Sequence, residues 1–522
     1  MTYRPRHVRP VTAVSVQVRA GKAARWAGAW TAAQRAWRTT SGVVAQQNPS
    51  ATVDRQVSAR LERIGTPLLL IGAGALALAL IRFGLRLAEP SFPARMFDVA
   101  IYRDAGLIVR HAYDFRSGHP MPLYDWASPR GLGPFTYPPF AGAIFAAMSY
   151  LSPLALQWGL TAASFAALAS AIWLTLASIG VPDGRARTGC VLAAMAVALW
   201  TQPVQSDFGR GQINLLLMAA IIWDLRPAVS RRTGRPGTGT LGDGTGRWWT
   251  GIATGIAAGI KLTPLIFIPY LLVTRRFRQA AVAAAAFAAT VGIGFAVMPG
   301  ASAAYWQSAL FDRANGTPRA NLKFFFASAW NQSLRGYLSR LLQHDQPAVV
   351  PWLIAATLTA VIGLLCAAWL HRDGYPMLGL LTCALTGLLI SPISWLHHWV
   401  WVAPWLAALG GMTLLACVNS WRIWLSIGGL IALVFVKWPR LPVLTGTKHG
   451  MNVVTDVPMS QPLRWHGHQL IAGNIYFMAG TAGLLALFGW GVTRAFQARH
   501  AIAATAERSA QPRHPASVET AR

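Results

Sequence analysis

Between positions 67 and 494 one pattern repeats: an apolar run close to bilayer thickness, then a short polar segment. The runs predict spans at 67–87, 154–179, 189–204, 212–225, 248–262, 264–274, 279–298, 350–370, 376–391, 397–417, 422–438 and 470–494. In lipid each span must satisfy its own backbone hydrogen bonds, so helix is the expected element. The fold class expected is an all-α polytopic membrane protein of about 11–13 transmembrane helices. One further run, 139–151, is too short for an easy crossing and reads as a re-entrant segment.

Counted this way, the polar segments sort by charge. DGRAR (183–187), RPAVSRR (226–232), TRRFR (274–278) and HRDG (371–374) fall on one side, which the positive-inside rule makes cytoplasmic. The aromatic and polar stretches fall on the other: 98–137, 202–214, Lys261, 299–349, 391–399 and 439–469. GIAAGIKLTP is expected to enter from the cytoplasm and stop at Lys261. Pro264 has no N–H and cannot continue that helix cleanly, so LIFIPYLLVTRRFR returns as the second arm of a broken hairpin.

Composition supports this. The chain is 54% hydrophobic and 12% charged, about half the charge of a soluble domain, with mean hydropathy +0.39. The net charge of +29, from 46 Lys and Arg against 17 Asp and Glu, would suggest nucleic acid in a soluble chain. Here it reads as basic segments facing anionic lipid, and no nucleic-acid partner is expected. Three regions are expected: a basic cytoplasmic N-terminal segment (1–66), the membrane domain (67–494) and a disordered cytoplasmic tail (495–522). Trp26, Trp30 and Trp37 share one helical face, which suits either a helix lying on the inner leaflet or a plain basic tail. Residues 1–66 contain no apolar core long enough for a cleavable signal peptide. Cys190, Cys366, Cys383 and Cys417 lie in or at the ends of apolar runs, without CxxC or a His at ligand spacing.

The stretch 95–140 stands apart from its apolar flanks. Ile101, Ala105, Ile108, Val109 and Ala112 repeat at helical spacing and predict a short amphipathic helix. Asp98 sits at its N-terminal end, where a carboxylate suits an N-cap as well as chemistry. Asp104 lies on another face and is expected to pair with Arg103 or Arg110.

Several outer segments, in order and spacing, resemble glycosyltransferase family 87, the polyprenol-phosphate-mannose-dependent α-1,2-mannosyltransferases. They are DVAIY (98–102), PLY (122–124), FTYPPF (135–140), GQIN (211–214), KLTP (261–264), NQS (331–333) and SPISWLHH (391–398). The resemblance covers roughly 65–440. It implies a GT-C fold with juxtamembrane and re-entrant helices on the external side. It implies a polyprenyl-phosphate-linked sugar donor, most simply mannose, and a glycolipid or cell-envelope glycan acceptor. It further implies inversion at the anomeric carbon, a multi-pass protein of the inner cell membrane with its site facing outward, and a catalytic Asp in the first external loop, here Asp98. The family also includes users of the matching arabinofuranose donor. A polytopic lipid or glycan transporter would show paired internal repeats, and none is visible.

Transfer from a phosphate donor needs a base for the acceptor hydroxyl, cations for the leaving phosphate and groups that hold the sugar. Asp98 is assigned as base, with a purely structural cap as the other reading. Lys261 in an apolar hairpin needs a partner, either the donor phosphate or an acid such as Asp98. Arg210 and Lys323 are further cations. His397 and His398, beside Trp395, Trp399 and Trp401, suit phosphate or hydroxyl contacts, or an interfacial aromatic belt. Trp395 and Tyr137 suit stacking on sugar rings, with the same alternative. Tyr102, inside the DVAIY motif, joins the substrate contacts. Asn331 and Gln332 suit hydroxyl contacts; Gln212 and Asn214, close to a span start, suit hydroxyl contacts or helix caps. No DxD pair or metal-spaced cluster is present, so no metal or cofactor is expected.

Overall fold

In the computed structural model the described residues are 50–87, 96–111, 123–124, 135–227, 247–309, 326–344, 349–416, 421–436 and 462–510. The 1–49 part of the basic segment, Ala112, Lys323, Cys417 and positions 437–461 lie outside them.

The predicted spans that fall in the described residues are helical. Six helices there are long and apolar enough to cross a bilayer: Ala59–Leu85, Pro153–Ser178, Phe277–Val297, Val349–Arg372, Leu396–Leu415 and Ile475–Arg494. Pro139–Met148, Asn214–Leu225, Thr263–Val273, Pro376–Ile390 and Trp421–Phe435 are apolar but shorter. The chain is therefore an all-α polytopic membrane protein. Leu70, Ile71, Leu78, Ile81, Leu353 and Leu430 are exposed and form the lipid-facing surface such helices need.

Two ends differ from expectation. The first helix is Ser50–Leu87 and carries Pro67 inside it, where the sequence suggested a start. Neighbouring groups in a membrane bundle can absorb the hydrogen bond that an internal proline removes. The last helix, Ile475–Ala510, continues past 494, because ARHAIAATAERSA is rich in alanine and other good helix formers.

The helix Phe97–His111 forms where the apolar spacing predicted it, with Asp98 in its first turn. Val99, Ile101, Tyr102, Ala105 and Val109 are buried. The helix crosses Pro139–Met148 at Gly106, where a Cβ would stand 2.1 Å from the Phe145 carbonyl oxygen. Arg103 and Arg110 do not turn to Asp104. Arg103 donates to Leu151 O, and Arg110 donates to Ser149 Oγ and lies over the Tyr150 ring.

The broken hairpin is present. Ile252–Ile260 ends at Lys261, whose backbone is extended, and the chain resumes as a 3-10 turn, Thr263–Ile266, and the helix Phe267–Val273. Gly255 and Gly259 let Ile252–Ile260 lie directly on Phe277–Val297. A Cβ there would meet Ala283 O at 2.4 Å and Thr290 Oγ1 at 2.1 Å. At its start the Asp224 carboxylate, fully buried, accepts from Gly251 N at 2.9 Å, Thr254 N at 3.0 Å and Thr254 Oγ1 at 2.7 Å. Arg276 Nη1, past the returning arm, donates to Leu225 O, so both arms begin and end at the Asp224 side.

Candidate active site

Five separated segments, around Asp98, Tyr137, Gln212, Lys261 and His398, bring their polar side chains to one place. Gly211 ends the helix Gln202–Arg210 in the left-handed conformation, φ 69°, and its hydrogen faces Val99; a Cβ would lie 2.1 Å from Val99 Cγ2. Only glycine fits this turn, which swings Gln212 against the Asp98 helix. Gln212 Nε2 then donates to Asp98 Oδ2 at 2.8 Å. Tyr137 OH donates to Gln212 Oε1 at 3.1 Å, and Tyr102 OH and Tyr137 OH are 2.8 Å apart. The two tyrosines are thus buried behind Gln212, inside a ring cluster with Phe135 and Phe145. Tyr124 OH donates to Tyr137 O at 2.9 Å, so DVAIY, PLY and FTYPPF close on one another.

Lys261 faces the other half. Its Nζ donates to Asn214 Oδ1 at 2.7 Å and lies 3.0 Å from His398 Nε2. An ammonium has only protons to offer, so Nε2 is the acceptor and the ring proton belongs on Nδ1. Asn214 Nδ2 donates to Asp207 Oδ1 at 2.9 Å and to His397 O at 3.2 Å. His397 contributes its carbonyl here, while its buried ring packs at right angles on His398. The Arg210 guanidinium lies over the Phe97 and Trp330 rings and acts electrostatically on Asp98.

Asn331 and Gln332 are spent on backbone. Asn331 Nδ2 donates to Phe326 O and Pro392 O, and its Oδ1 accepts from Ser394 N at 2.8 Å. Gln332 Nε2 donates to Ala329 O and Gly473 O. Asn331 also bridges Trp395 through the backbone, so this pair fixes the SPISW turn that presents His397 and His398. Trp395 is half-buried beside that turn.

Two carboxylates stand in the site, and burial separates them. Asp98 remains partly accessible, whereas Asp207 is fully buried. Burial raises the Asp98 carboxyl above its ordinary range, opposed by the Gln212 hydrogen bond and the positive charges of Arg210 and Lys261. Burial raises Asp207 well above its ordinary range too, opposed first by Asn214. Asp207 escapes the sequence reading, although it sits on the buried face of Gln202–Arg210 with Pro203, Val204 and Phe208. A carboxylate in an apolar stripe is the signal that could have found it.

A small cavity of about 50 Å³ is lined by Asn214, Thr263, Ser394, His398, Leu388 and Trp401. Leu388 and Trp401 also line a larger apolar cavity of about 360 Å³, which extends along Trp405, Phe435 and Leu487. The lysine–histidine contact therefore borders a groove suited to hydrocarbon.

The sequence profile for Glycosyltransferase family 87 matches residues 135–392, which include Tyr137, Gln212, Asn214, Lys261, Asn331 and Gln332. A protein of Mycobacterium tuberculosis (strain CDC 1551 / Oshkosh) is 38% identical over 297 residues, 55% of this chain and 61% of its own length. Its name is polyprenol-phosphate-mannose-dependent alpha-(1-2)-phosphatidylinositol pentamannoside mannosyltransferase. A protein of that name from Mycolicibacterium smegmatis is 33% identical over 388 residues, 71% of this chain and 80% of its own length. A polyprenol-phosphate-mannose-dependent alpha-(1-2)-phosphatidylinositol mannoside mannosyltransferase of Mycobacterium tuberculosis H37Rv is 30% identical over 343 residues, 62% of this chain and 73% of its own length. The chain thus spans about three fifths of the first relative and four fifths of the second. No solved structure matches. With its polar motifs joined in one hydrogen-bonded network of a helical membrane protein and relatives of this extent, the chain belongs to glycosyltransferase family 87.

Proposed function

We propose that this protein transfers mannose from a polyprenyl-phosphate donor to a hydroxyl of a phosphatidylinositol mannoside or a related envelope glycolipid, from the outer side of the inner membrane. The observation that carries this reading is the single network linking the carboxylate of Asp98 to the ammonium of Lys261, both of them half-buried. The links run through Gln212 and Asn214, whose amides are 3.4 Å apart.

The step is a single displacement. Asp98 takes the proton of the acceptor hydroxyl. The freed oxygen pair bonds the anomeric carbon from the face opposite phosphate, and the carbon–oxygen bond to phosphate breaks. Its electron pair leaves on phosphate, where Lys261 offsets the developing charge. Inversion follows from attack opposite the leaving group. The apolar groove beside His398 and Trp401 supports a donor carried on a hydrocarbon chain. This displacement calls on no metal or cofactor.

The test is transfer by purified protein into extracted lipids from radiolabelled polyprenyl-phosphate-mannose or polyprenyl-phosphate-arabinose. Label is expected from the mannose donor and is lost in Asp98→Asn. Label from arabinose alone, or undiminished transfer by Asp98→Asn, overturns the reading.

A further inference from the structure

The buried carboxylate of Asp207 has no place in that displacement, yet it touches the network at one point. Asn214 lies between an acid and an ammonium. Its Nδ2 faces Asp207 Oδ1 at 2.9 Å and its Oδ1 faces Lys261 Nζ at 2.7 Å. A carboxamide so placed has one orientation, because the flipped amide would turn its N–H toward an ammonium that can only donate. Asp207 Oδ2 is buried with no hydrogen-bond partner among the described residues. Apart from the Leu215 backbone amide, the groups that favour its charged form are Asn214 and Lys261. Asp207 is too buried to meet a substrate.

We infer that Asp207 is a positioning residue for Lys261: it clamps the Asn214 carboxamide, and the clamped oxygen holds the lysine ammonium toward the donor phosphate. This rests on the phosphate role proposed for Lys261. The charged and titratable groups around Lys261 are Asp98, Asp207, Arg210, His397, His398 and Tyr137. Of these, Asp98 and Asp207 are the acids, and Asp207 reaches Lys261 through the single carboxamide of Asn214. An amine among apolar helices needs oxygen partners, so the Asp207–Asn214 pair holds Lys261 in place before the donor arrives.

The test uses full-length protein in detergent or nanodiscs, with Asp207→Asn, Asp207→Glu and the double variant Asp207→Asn with Asn214→Asp. Two readouts are taken: binding of polyprenyl phosphate, which needs no transferable sugar, and donor kcat/KM across pH. Asp207→Asn is expected to weaken polyprenyl phosphate binding by about tenfold or more and to move the alkaline limb of kcat/KM to lower pH. The acceptor KM stays put. Asp207→Glu recovers part of the loss. The double variant restores a carboxylate beside Lys261, so it binds better than Asp207→Asn alone. A purely structural role predicts instead additive losses, with no movement of the alkaline limb. That result overturns the inference, as does wild-type-like behaviour of Asp207→Asn. Wild-type protein that binds polyprenyl phosphate and transfers no mannose overturns the donor assignment and leaves the binding comparison to decide the role of Asp207.

Discussion

Asn214 and Lys261 meet at 2.7 Å, and each belongs to a segment whose opposite end is held at Asp224. The two arms, Asn214–Leu225 and Ile252–Ile260, are pinned together at both ends, about 15 Å apart. Lys261 is therefore a fixed charge and not a mobile surface lysine. Lys261→Met keeps the aliphatic stem and removes the charge. We expect the donor KM to rise by about tenfold or more, with the acceptor KM unchanged. Steady-state kinetics with each substrate varied separately is the check; an unchanged donor KM removes Lys261 from the phosphate.

The base assignment has a pH signature. Asp98 must be ionised to accept a proton, and burial raises its carboxyl above the ordinary value of about 3.9. Below its pKa the ionised fraction falls about tenfold per pH unit. The acid limb of kcat/KM is thus expected above the ordinary carboxylate range. Gln212→Leu removes the 2.8 Å hydrogen bond that favours the ionised form, so the limb moves to still higher pH. A limb that stays in place in Gln212→Leu separates Asp98 from catalysis.

Much of this arrangement is legible in the sequence, but not evenly. The spans can be read because an apolar run of bilayer length is rarely anything but a membrane helix. Lys261 can be read because a lone cation in an apolar hairpin demands a partner. Asp98, Gln212 and Asn214 are visible as polar positions at span mouths. What cannot be read is who touches whom. Tyr102 and Tyr137 read as substrate contacts, but their hydroxyls support Gln212. Asn331 and Gln332 read as hydroxyl contacts, but their amides are held by backbone carbonyls and so brace the turn carrying His397 and His398. Such roles depend on contacts between residues far apart in the chain, which periodicity does not encode. Asp207 and Asp224 escape notice for the same reason.

Gly211 makes a sharp prediction. Gly211→Ala places a methyl group 2.1 Å from Val99 Cγ2 at a positive φ that side chains disfavour by about 1–2 kcal/mol. The turn must shift, and Gln212 moves away from Asp98. Thermal stability falls, and kcat falls by more than that small loss of folded protein explains. Activity equal to wild type shows that the Gln212–Asp98 contact is dispensable.

The side of the membrane is open to a direct test. Trp248 is 73% exposed at the Asp224 end, and His344 is exposed in the segment joined to the His397 turn. Trp248→Cys is expected to react with a membrane-impermeant thiol reagent only after the cells are opened, and His344→Cys in intact cells. The reverse pattern inverts the topology and places Asp98 on the cytoplasmic face.

Asp224 gives the most distant prediction. Its carboxylate holds Gly251 N, Thr254 N and Thr254 Oγ1, and so sets where Ile252–Ile260 begins. With the start fixed and Gly255 and Gly259 locked on the neighbouring helix, the position of Lys261 at the far end follows. Asp224→Ala leaves those donors buried without an acceptor, at a cost of about 1–2 kcal/mol for the lost cap. The arm is then free to slide or fray, and donor kcat/KM is expected to fall by about tenfold, although the change lies about 15 Å along the helices from Lys261. Asp224→Asn keeps one oxygen for Gly251 and is expected to lie between wild type and alanine in both unfolding temperature and kcat/KM. If alanine lowers the unfolding temperature while the donor kcat/KM of the folded protein is unchanged, the far pin is structural only, and Lys261 is held in place by Asn214 and His398 alone.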